Sequence, residues 1–311
     1  MYMQSILFKF MQQLRTNLEK PQTFFKAGLQ NEYHQRDELS TVWWLLALVA
    51  DYTIIAFAFL IAYLWSWPAY PFSVMLLGIA QHRIAILGHD GAHGLICRNK
   101  KLNYWLAQLF CFWPLLIDIK SYRKFHFEHH KNTGDENLDP ELQLKHDRYQ
   151  LPKTRKQLIG RFLFDLCGGS IAEFLEVAIY IGRRGNPLWA ASFPLLTCYL
   201  SFLAGHPEFF VLFMISKPTS FWAVFRLRVF TEHVGVPGTH RIQLSLWQRL
   251  LFAPHNTWMH WEHHAYPQVA FSQLPALRAQ CEDIPVIYFE DLLVKKEKYS
   301  KGIQYNVQVS E

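Results

Sequence analysis

Histidines at helical spacing in three short segments are the residues of this chain best suited to do chemistry. The segments read GHDGAH, FHFEHH and HWEHH, and their histidines are His89, His93, His126, His129, His130, His260, His263 and His264. Offsets of three and four residues share one face of a helix, so the imidazoles of each segment would project together toward one point. One such segment is weak evidence, because a single pair is often an accident of a helix surface. Three segments together indicate a common cause.

Metal binding is the cause that best explains these histidines. Neutral imidazole is a good ligand for iron, zinc, copper and nickel. The five cysteines are scattered along the chain and form neither a CxxC pair nor a thiolate cluster. Eight histidines exceed the four ligands of a tetrahedral zinc site, so the sequence predicts two metal ions that share them.

The apolar composition predicts a membrane protein. Hydrophobic residues make up 51% and aromatic residues 16% of the 311 residues, which is rich for a soluble domain. A membrane-crossing helix needs about 20 mostly apolar residues. Four segments are predicted to cross the membrane, at residues 42–67, 72–88, 188–203 and 209–225.

The distribution of arginine and lysine predicts the orientation. The turns at 68–71 and 205–208 contain neither residue, whereas Arg183, Arg184 and Arg226 flank the opposite ends of the spans. The positive-inside rule therefore places both termini and every histidine segment in the cytoplasm. The predicted fold is an all-α integral membrane protein with four transmembrane helices in two hairpins. A cytoplasmic helical cap would hold a histidine-rich di-metal site.

We predict an N-terminal cytoplasmic or interfacial segment, a membrane domain that includes the histidine segments, and a cytoplasmic C-terminal tail, at residues 1–40, 41–275 and 276–311. An amphipathic pattern near the N-terminus suits either an interfacial helix or a core helix, and it comprises Ile6, Phe10, Leu14 and Leu18. The short apolar stretch 102–117 suits a re-entrant or interfacial piece. The net charge of +6 indicates a face near anionic lipid, and no nucleic-acid partner is expected.

Four further residues have predicted roles. His233 lies just past the fourth predicted span and is a ninth candidate ligand. Asp51 and His82 lie deep in predicted spans. Asp51 is predicted to be structural, while His82 suits a hydrogen-bonded packing role or the wall of a substrate channel. Ser170 stands where an N-cap is expected, before an amphipathic helix predicted to lie on the membrane.

The three histidine segments resemble the HxxxH, HxxHH and HxxHH boxes of the membrane fatty acid desaturases and their hydroxylase relatives. The resemblance covers roughly residues 40–275. The run Asp139-Pro140-Glu141 after the second box and Tyr266-Pro267 after the third also look similar to the family.

The resemblance implies a non-haem di-iron centre on the cytoplasmic side. Carried over by position, its ligands would be the eight box histidines, and His233 matches the extra histidine after the fourth span. Asn256 lies one turn before His260 and could hold a water at the iron. Acids beside the ligands are expected to orient imidazole N–H groups, unless they pair with Arg226, Arg228 or Lys124. These acids are Asp90, Glu128, Glu232 and Glu262.

The implied activity is oxidation of an inert C–H bond, because a reduced iron pair and O₂ together supply a strong enough oxidant. The main hypothesis is a desaturase that introduces a double bond into a lipid acyl chain, with no catalytic side chain beyond the metal ligands. A hydroxylase or ketolase acting on a carotenoid, sphingolipid or alkane is the first alternative. A non-redox histidine-rich metal transporter or sensor is the second, although a transporter should place ionisable residues at mid-membrane.

Two kinds of protein partner are expected. Electrons should come from a separate donor such as a ferredoxin. The basic cytoplasmic face would suit an acidic donor of this kind or an acyl carrier protein.

Overall fold

The computed structural model describes residues 37–135, 137–141, 153–233, 239–281 and 285–293. The described chain is mostly helical, as predicted. The amphipathic pattern near the N-terminus and most of the predicted tail lie outside the described residues. The division of the chain near residues 40 and 275 stays a prediction.

Within the described residues, three helical segments are long and apolar enough to cross a membrane, and they are Ser40–Trp65, Trp67–His93 and Pro207–His233. The first lies within helix α1 (Asp37–Trp65), whose length of roughly 44 Å exceeds a hydrocarbon core of about 30 Å. Trp44 and Leu48 on α1 are buried, whereas Leu46 and Val49 are 55% and 64% exposed. Large apolar side chains on the outer face are expected of a helix surrounded by lipid, and these segments support a membrane protein.

The second segment reverses the chain near the predicted turn. A 3-10 turn at Trp67–Ala69 leads into α2 (Tyr70–His93), after Ser66 adopts a positive φ of 53°. The indole Nε1 of Trp44 donates to the carbonyl of Leu87 at 3.0 Å and holds α1 against α2. This hairpin brings the end of α2 to the same level as the start of α1.

The third segment is interrupted by a π-helical turn. Helix α8 (Pro207–Ile215) continues through this turn (Lys217–Phe221) into α9 (Trp222–His233). The turn packs directly on α2, where a Cβ at Gly78 would lie only 2.0 Å from Ser220 Oγ. The Ser220 hydroxyl also donates to the carbonyl of Val74 at 2.6 Å. Glycine at this position therefore lets α2 and α9 run side by side to the same end of the molecule.

The remaining helices before the third segment are α3 (Lys100–Ala107), a π-helical turn (Gln108–Phe112), α4 (Ile119–Asn132), α5 (Arg155–Leu166), α6 (Ile171–Gly182) and α7 (Pro187–Leu203). Ser170 precedes α6 as predicted, but its hydroxyl makes no cap and donates to Asp165 at 2.5 Å instead. Helix α7 is apolar but shorter than the three spanning segments, so the fourth span stays a prediction.

The last part of the described chain forms a cap from α10 (Leu246–Phe252), α11 (His260–Ala265), α12 (Leu274–Gln280) and a 3-10 turn (Phe289–Leu292). Strands β1 (Ile242–Gln243) and β2 (Ile287–Tyr288) pair in parallel, a short sheet that the all-α prediction did not include. Its pairing joins segments far apart in sequence. A buried apolar cluster that includes Phe230 and Phe252 packs the cap onto α9.

Candidate metal centre

Four helices deliver the nine predicted histidines to one region. The last turn of α2 carries the first box, α4 carries the second, the end of α9 carries His233, and α11 carries the third. The ligand atoms fall into two groups, and within each group all of them lie within 4.8 Å of one another. The five-histidine group is His89, His93, His126, His130 and His263, and the four-histidine group is His129, His233, His260 and His264.

Nitrogen atoms in the five-histidine group are in close contact. The Nε2 atoms of His93 and His126 are 2.8 Å apart, and those of His126 and His130 are 2.9 Å apart. His130 Nε2 lies 3.0 Å from His263 Nε2. The ring of His89 completes the group, with its centroid 4.4 Å from those of His126 and His263.

The four-histidine group repeats this geometry. The Nε2 atom of His264 lies 3.0 Å from that of His260 and 3.3 Å from that of His129. The Nε2 atoms of His260 and His233 are 3.1 Å apart.

The paired histidines of α4 and α11 are divided between the two groups. Within each HH dipeptide, one residue belongs to one group and its neighbour to the other: His129 and His130 divide, and so do His263 and His264. Consecutive residues on a helix point about 100° apart, so neighbouring imidazoles cannot converge. The prediction that each box projects toward a single point is therefore wrong for the second and third boxes.

The donor set fits metal ions. Burial is the main cause that lowers the pKa of His126, His260 and His263 well below the usual value, and neighbouring imidazoles lower it further. Burial likewise lowers the pKa of His130 to about 3. These imidazoles are therefore neutral, and each offers a lone pair to its group.

The nitrogen–nitrogen distances also bear on coordination. Two nitrogens about 2.1 Å from one ion lie about 3.0 Å apart at a right angle and about 3.4 Å apart at the tetrahedral angle. The contacts above, at 2.8 to 3.1 Å, are short enough for a single ion to bind both nitrogens of each pair.

Two of the four predicted orienting acids lie beside imidazoles. Asp90 accepts from the backbone N–H of Phe271 at 3.0 Å, and its other oxygen is 3.9 Å from His89 Nδ1. Glu232 is fully buried, 3.5 Å from His260 Nδ1 and 2.9 Å from Arg228 Nε. The orienting role of both acids stays a prediction.

Pairing with a basic residue, the alternative considered from the sequence, applies to three of the four acids. Glu232 pairs with Arg228, one of the partners considered, and the other two acids pair with arginines that were not. Glu262 accepts from Arg241 Nε at 2.6 Å and lies 3.3 Å from Arg278 Nη1. Glu128 lies 3.2 Å from Arg184 at the surface. Glu262 thus ties α11 to the start of the cap, while Glu128 joins α4 to the end of α6.

Two acids that contact the histidines were not predicted as site residues. Both oxygens of Asp139 lie close to His129 Nδ1, at 2.9 and 3.1 Å. Glu141 Oε2 lies 3.2 Å from His129 Nε2 and 3.6 Å from His233 Nε2. The run Asp139-Pro140-Glu141 was the signal, but it was used only as part of the resemblance.

Asn256 lies in the turn that precedes α11. Its side-chain amide donates to the carbonyl of Phe271 at 3.0 Å, and its φ is 55°. The backbone of Phe271 also holds Asp90, so the two side chains belong to one hydrogen-bonded network. A water-mediated contact of Asn256 with a metal stays a prediction.

The two deep polar residues are hydrogen-bonded. Asp51 is fully buried, pairs with Arg83 Nε and accepts from His255 Nε2 at 2.7 Å. This network ties α1 and α2 to the turn before α11, a structural role as predicted. His82 Nε2 lies 3.0 Å from the carbonyl of Phe252, which favours its packing role.

These observations support a helical membrane protein with a histidine-rich candidate metal site. The family model described as fatty acid desaturase matches residues 65–291, and the chain belongs to this family. It is 30% identical to the dihydrorhizobitoxine desaturase of Bradyrhizobium elkanii over 42% of this chain and 38% of that protein. It is 27% identical to the beta-carotene 4-ketolase of Protosiphon botryoides over 68% of this chain and 52% of that protein.

A third relative is the sn-1 acyl-lipid omega-3 desaturase (ferredoxin) of Synechocystis sp. The identity is 36% over 28% of this chain and 24% of that protein. The chain therefore spans at most about half the length of these three relatives.

Proposed function

We propose that this protein is an O₂-dependent di-iron desaturase that introduces a double bond into a lipid acyl chain. The observation that carries the proposal is the pair of adjoining histidine groups at the ends of two membrane-spanning segments. Membership of the fatty acid desaturase family supports it and disfavours the transporter or sensor alternative.

The nine histidines would hold two iron ions, five imidazoles at one and four at the other. Imidazole is a good ligand for iron, and the nitrogens within each group are close enough to share one ion. When bound, a reduced iron pair supplies, with O₂ and electrons, an oxidant able to remove hydrogen from a methylene group.

The residues of the chain position this chemistry and keep water away from it. The five-histidine group begins in the last turn of α2, which ends in the left-handed conformation at Gly94. The four-histidine group includes the last residue of α9. Helices α2 and α9 each form the end of a membrane-spanning segment. An acyl chain lying in the membrane would therefore reach the site from its membrane side. The buried acids Glu232 and Asp139 would fix the imidazole rings.

Oxygen insertion is the second candidate outcome. A carotenoid ketolase aligns over 68% of this chain, so the same fold carries that activity in a relative. Desaturation removes two hydrogens from one substrate chain, whereas hydroxylation adds one oxygen. The choice depends on which substrate carbon lies nearest the site.

We also propose that the histidine groups and both termini face the cytoplasm, where a separate electron donor would dock. One relative is named with ferredoxin. Helix α4 carries exposed basic residues around its histidines, namely Lys120, Arg123, Lys124 and Lys131. An acidic ferredoxin or acyl carrier protein would complement this charge.

Expression in a host of defined lipid composition tests the proposal, with the products analysed by mass. A loss of two hydrogens from an acyl chain supports desaturation, and a gain of one oxygen supports the second candidate. Anaerobically purified protein should contain about two irons per chain, and a single zinc or no metal would refute both.

A further inference from the structure

Glu141 lies beside the four-histidine group, next to two of its members. Its Oε2 atom is 3.2 Å from His129 Nε2 and 3.6 Å from His233 Nε2, and its side chain is 15% exposed. The short segment after α4 places it there, where the backbone N–H of Glu141 donates to Asp139 Oδ1 at 2.9 Å. Asp139 therefore contacts one nitrogen of His129 while Glu141 contacts the other.

Asp139 can hold the orientation of the His129 ring. Both of its oxygens lie near His129 Nδ1, and a histidine that binds a metal through one ring nitrogen commonly donates its other N–H to a carboxylate. His129 Nε2 is the nitrogen that faces His264 of the four-histidine group.

Two further possible ligand atoms lie at similar distances from His129 Nε2. Glu141 Oε2 is 3.2 Å away, and His264 Nε2 is 3.3 Å away. An ion bound by His129 Nε2 and His264 Nε2 would therefore also lie close to the carboxylate of Glu141.

We propose that the Glu141 carboxylate is a ligand of the metal ion held by the four-histidine group. The inference rests on the proposed di-iron function. It gives this group four imidazoles and one carboxylate, beside five imidazoles at the other group. The two irons are then inequivalent, because only one of them has an anionic oxygen ligand, which favours its oxidised state.

The test compares Glu141→Gln with the wild-type protein, both loaded with ⁵⁷Fe under anaerobic conditions. The isosteric amide keeps the shape but removes the charge. Mössbauer spectra and the iron-to-protein ratio are the readouts, and neither depends on turnover. Glu128→Gln is the matched control, because Glu128 lies on α4 but pairs with Arg184 at the surface.

We expect two iron signals of equal area in the wild type and in Glu128→Gln. In Glu141→Gln, one signal should shift or disappear while the other is unchanged, and the ratio should stay at two or fall toward one. Two unchanged signals in Glu141→Gln would overturn the inference and leave the proposed function standing. Absence of iron from the wild type would instead remove the proposed function.

A second measurement avoids the variant in case it does not fold. In an experimental structure of the metal-loaded wild type, an oxygen of Glu141 should lie about 2.0–2.2 Å from the metal of the four-histidine group. A separation beyond about 3.5 Å, with His129 protonated at both nitrogens, would refute the assignment.

Discussion

The rings of His130 and His264 stack with their centroids 4.3 Å apart and their planes 23° from parallel, although the two residues belong to different histidine groups. This contact joins α4 to α11 at the boundary between the groups. Packing of these two side chains therefore contributes to the spacing of the two groups.

Replacing His263 by alanine should abolish turnover. The residue supplies one of five imidazoles in its group, and its loss leaves that metal poorly held. We expect activity to fall at least about 100-fold, with the protein still recovered in membranes. Product analysis and immunoblotting of membrane fractions measure the two outcomes.

His206→Ala is the matched control for that variant. His206 lies in the turn before α8, and its Nδ1 atom is 2.9 Å from Glu208 Oε1. In the sequence it is far from the histidines of both groups. Its variant should keep wild-type activity. Full turnover in His263→Ala would contradict the proposed site.

Replacing Asp139 by asparagine should weaken metal binding without removing a histidine. The amide cannot accept from His129 Nδ1 with both of its terminal atoms, so the ring loses part of its orientation. Loss of such a partner costs about 10- to 100-fold in affinity or activity. Titration of the metal-free protein with Fe(II) measures the affinity, and Asp135→Asn, an exposed loop acid, is the control. Equal affinities in the two variants would argue against an orienting role.

Metal removal should lower thermal stability. Ions that bind only the folded state stabilise it, by about 2.7 kcal/mol when free metal is at 100 times its Kd. The melting temperature in detergent should therefore fall with a chelator and recover when Fe(II) is added back. In His260→Ala, adding Fe(II) back should raise the melting temperature by less than in the wild type. A melting temperature indifferent to chelation would contradict metal binding by these groups.

Replacing Asp51 by alanine should destabilise the membrane core. The change would leave Arg83 and His255 without their shared carboxylate, and breaking a buried pair costs about 3–5 kcal/mol. The melting temperature in detergent measures the loss. Thr53→Ala, at an exposed position on the same helix, should change it little. Comparable shifts for both variants would show that the network contributes nothing specific.

Replacing Gly78 by alanine should separate α2 from the π-helical turn at Lys217–Phe221. The added Cβ would meet Ser220 Oγ and the backbone N of Phe221, the latter at 2.4 Å. Overpacking of this kind costs about 1–3 kcal/mol. Gly160→Ala is the opposite control, because no atom lies within 4 Å of its added Cβ and alanine favours α5. Equal stability of the two variants would refute the close approach.

Helical spacing identified eight of the histidines that the structure brings together, because periodicity can be read from the order of residues. The ninth, His233, was inferred from its place just past the fourth predicted span. It could not assign them to groups, since that depends on the rotation of α4 relative to α11. Asp139 and Glu141 were missed as site residues because they follow α4 in a short irregular segment without periodic spacing. That the histidines bind metal stays a prediction.

Three of the four predicted spans match long apolar helical segments of the described chain, since long apolar runs leave few alternatives. The π-helical turn within the third segment was not predicted, because it arises from contacts such as that of Ser220 with Val74. The two-residue strands β1 and β2 carry too little sequence to signal a sheet. Their pairing depends on how the cap folds back on α9.

The division of each HH dipeptide between the two groups means that neither group can be adjusted alone. A single peptide bond links His129 to His130, and another links His263 to His264. A rotation of α4 or α11 that moves the imidazoles of one group therefore also moves those of the other. Occupancy of one group should hold α4 and α11 in place, so that the imidazoles of the second group are already positioned when its ion binds.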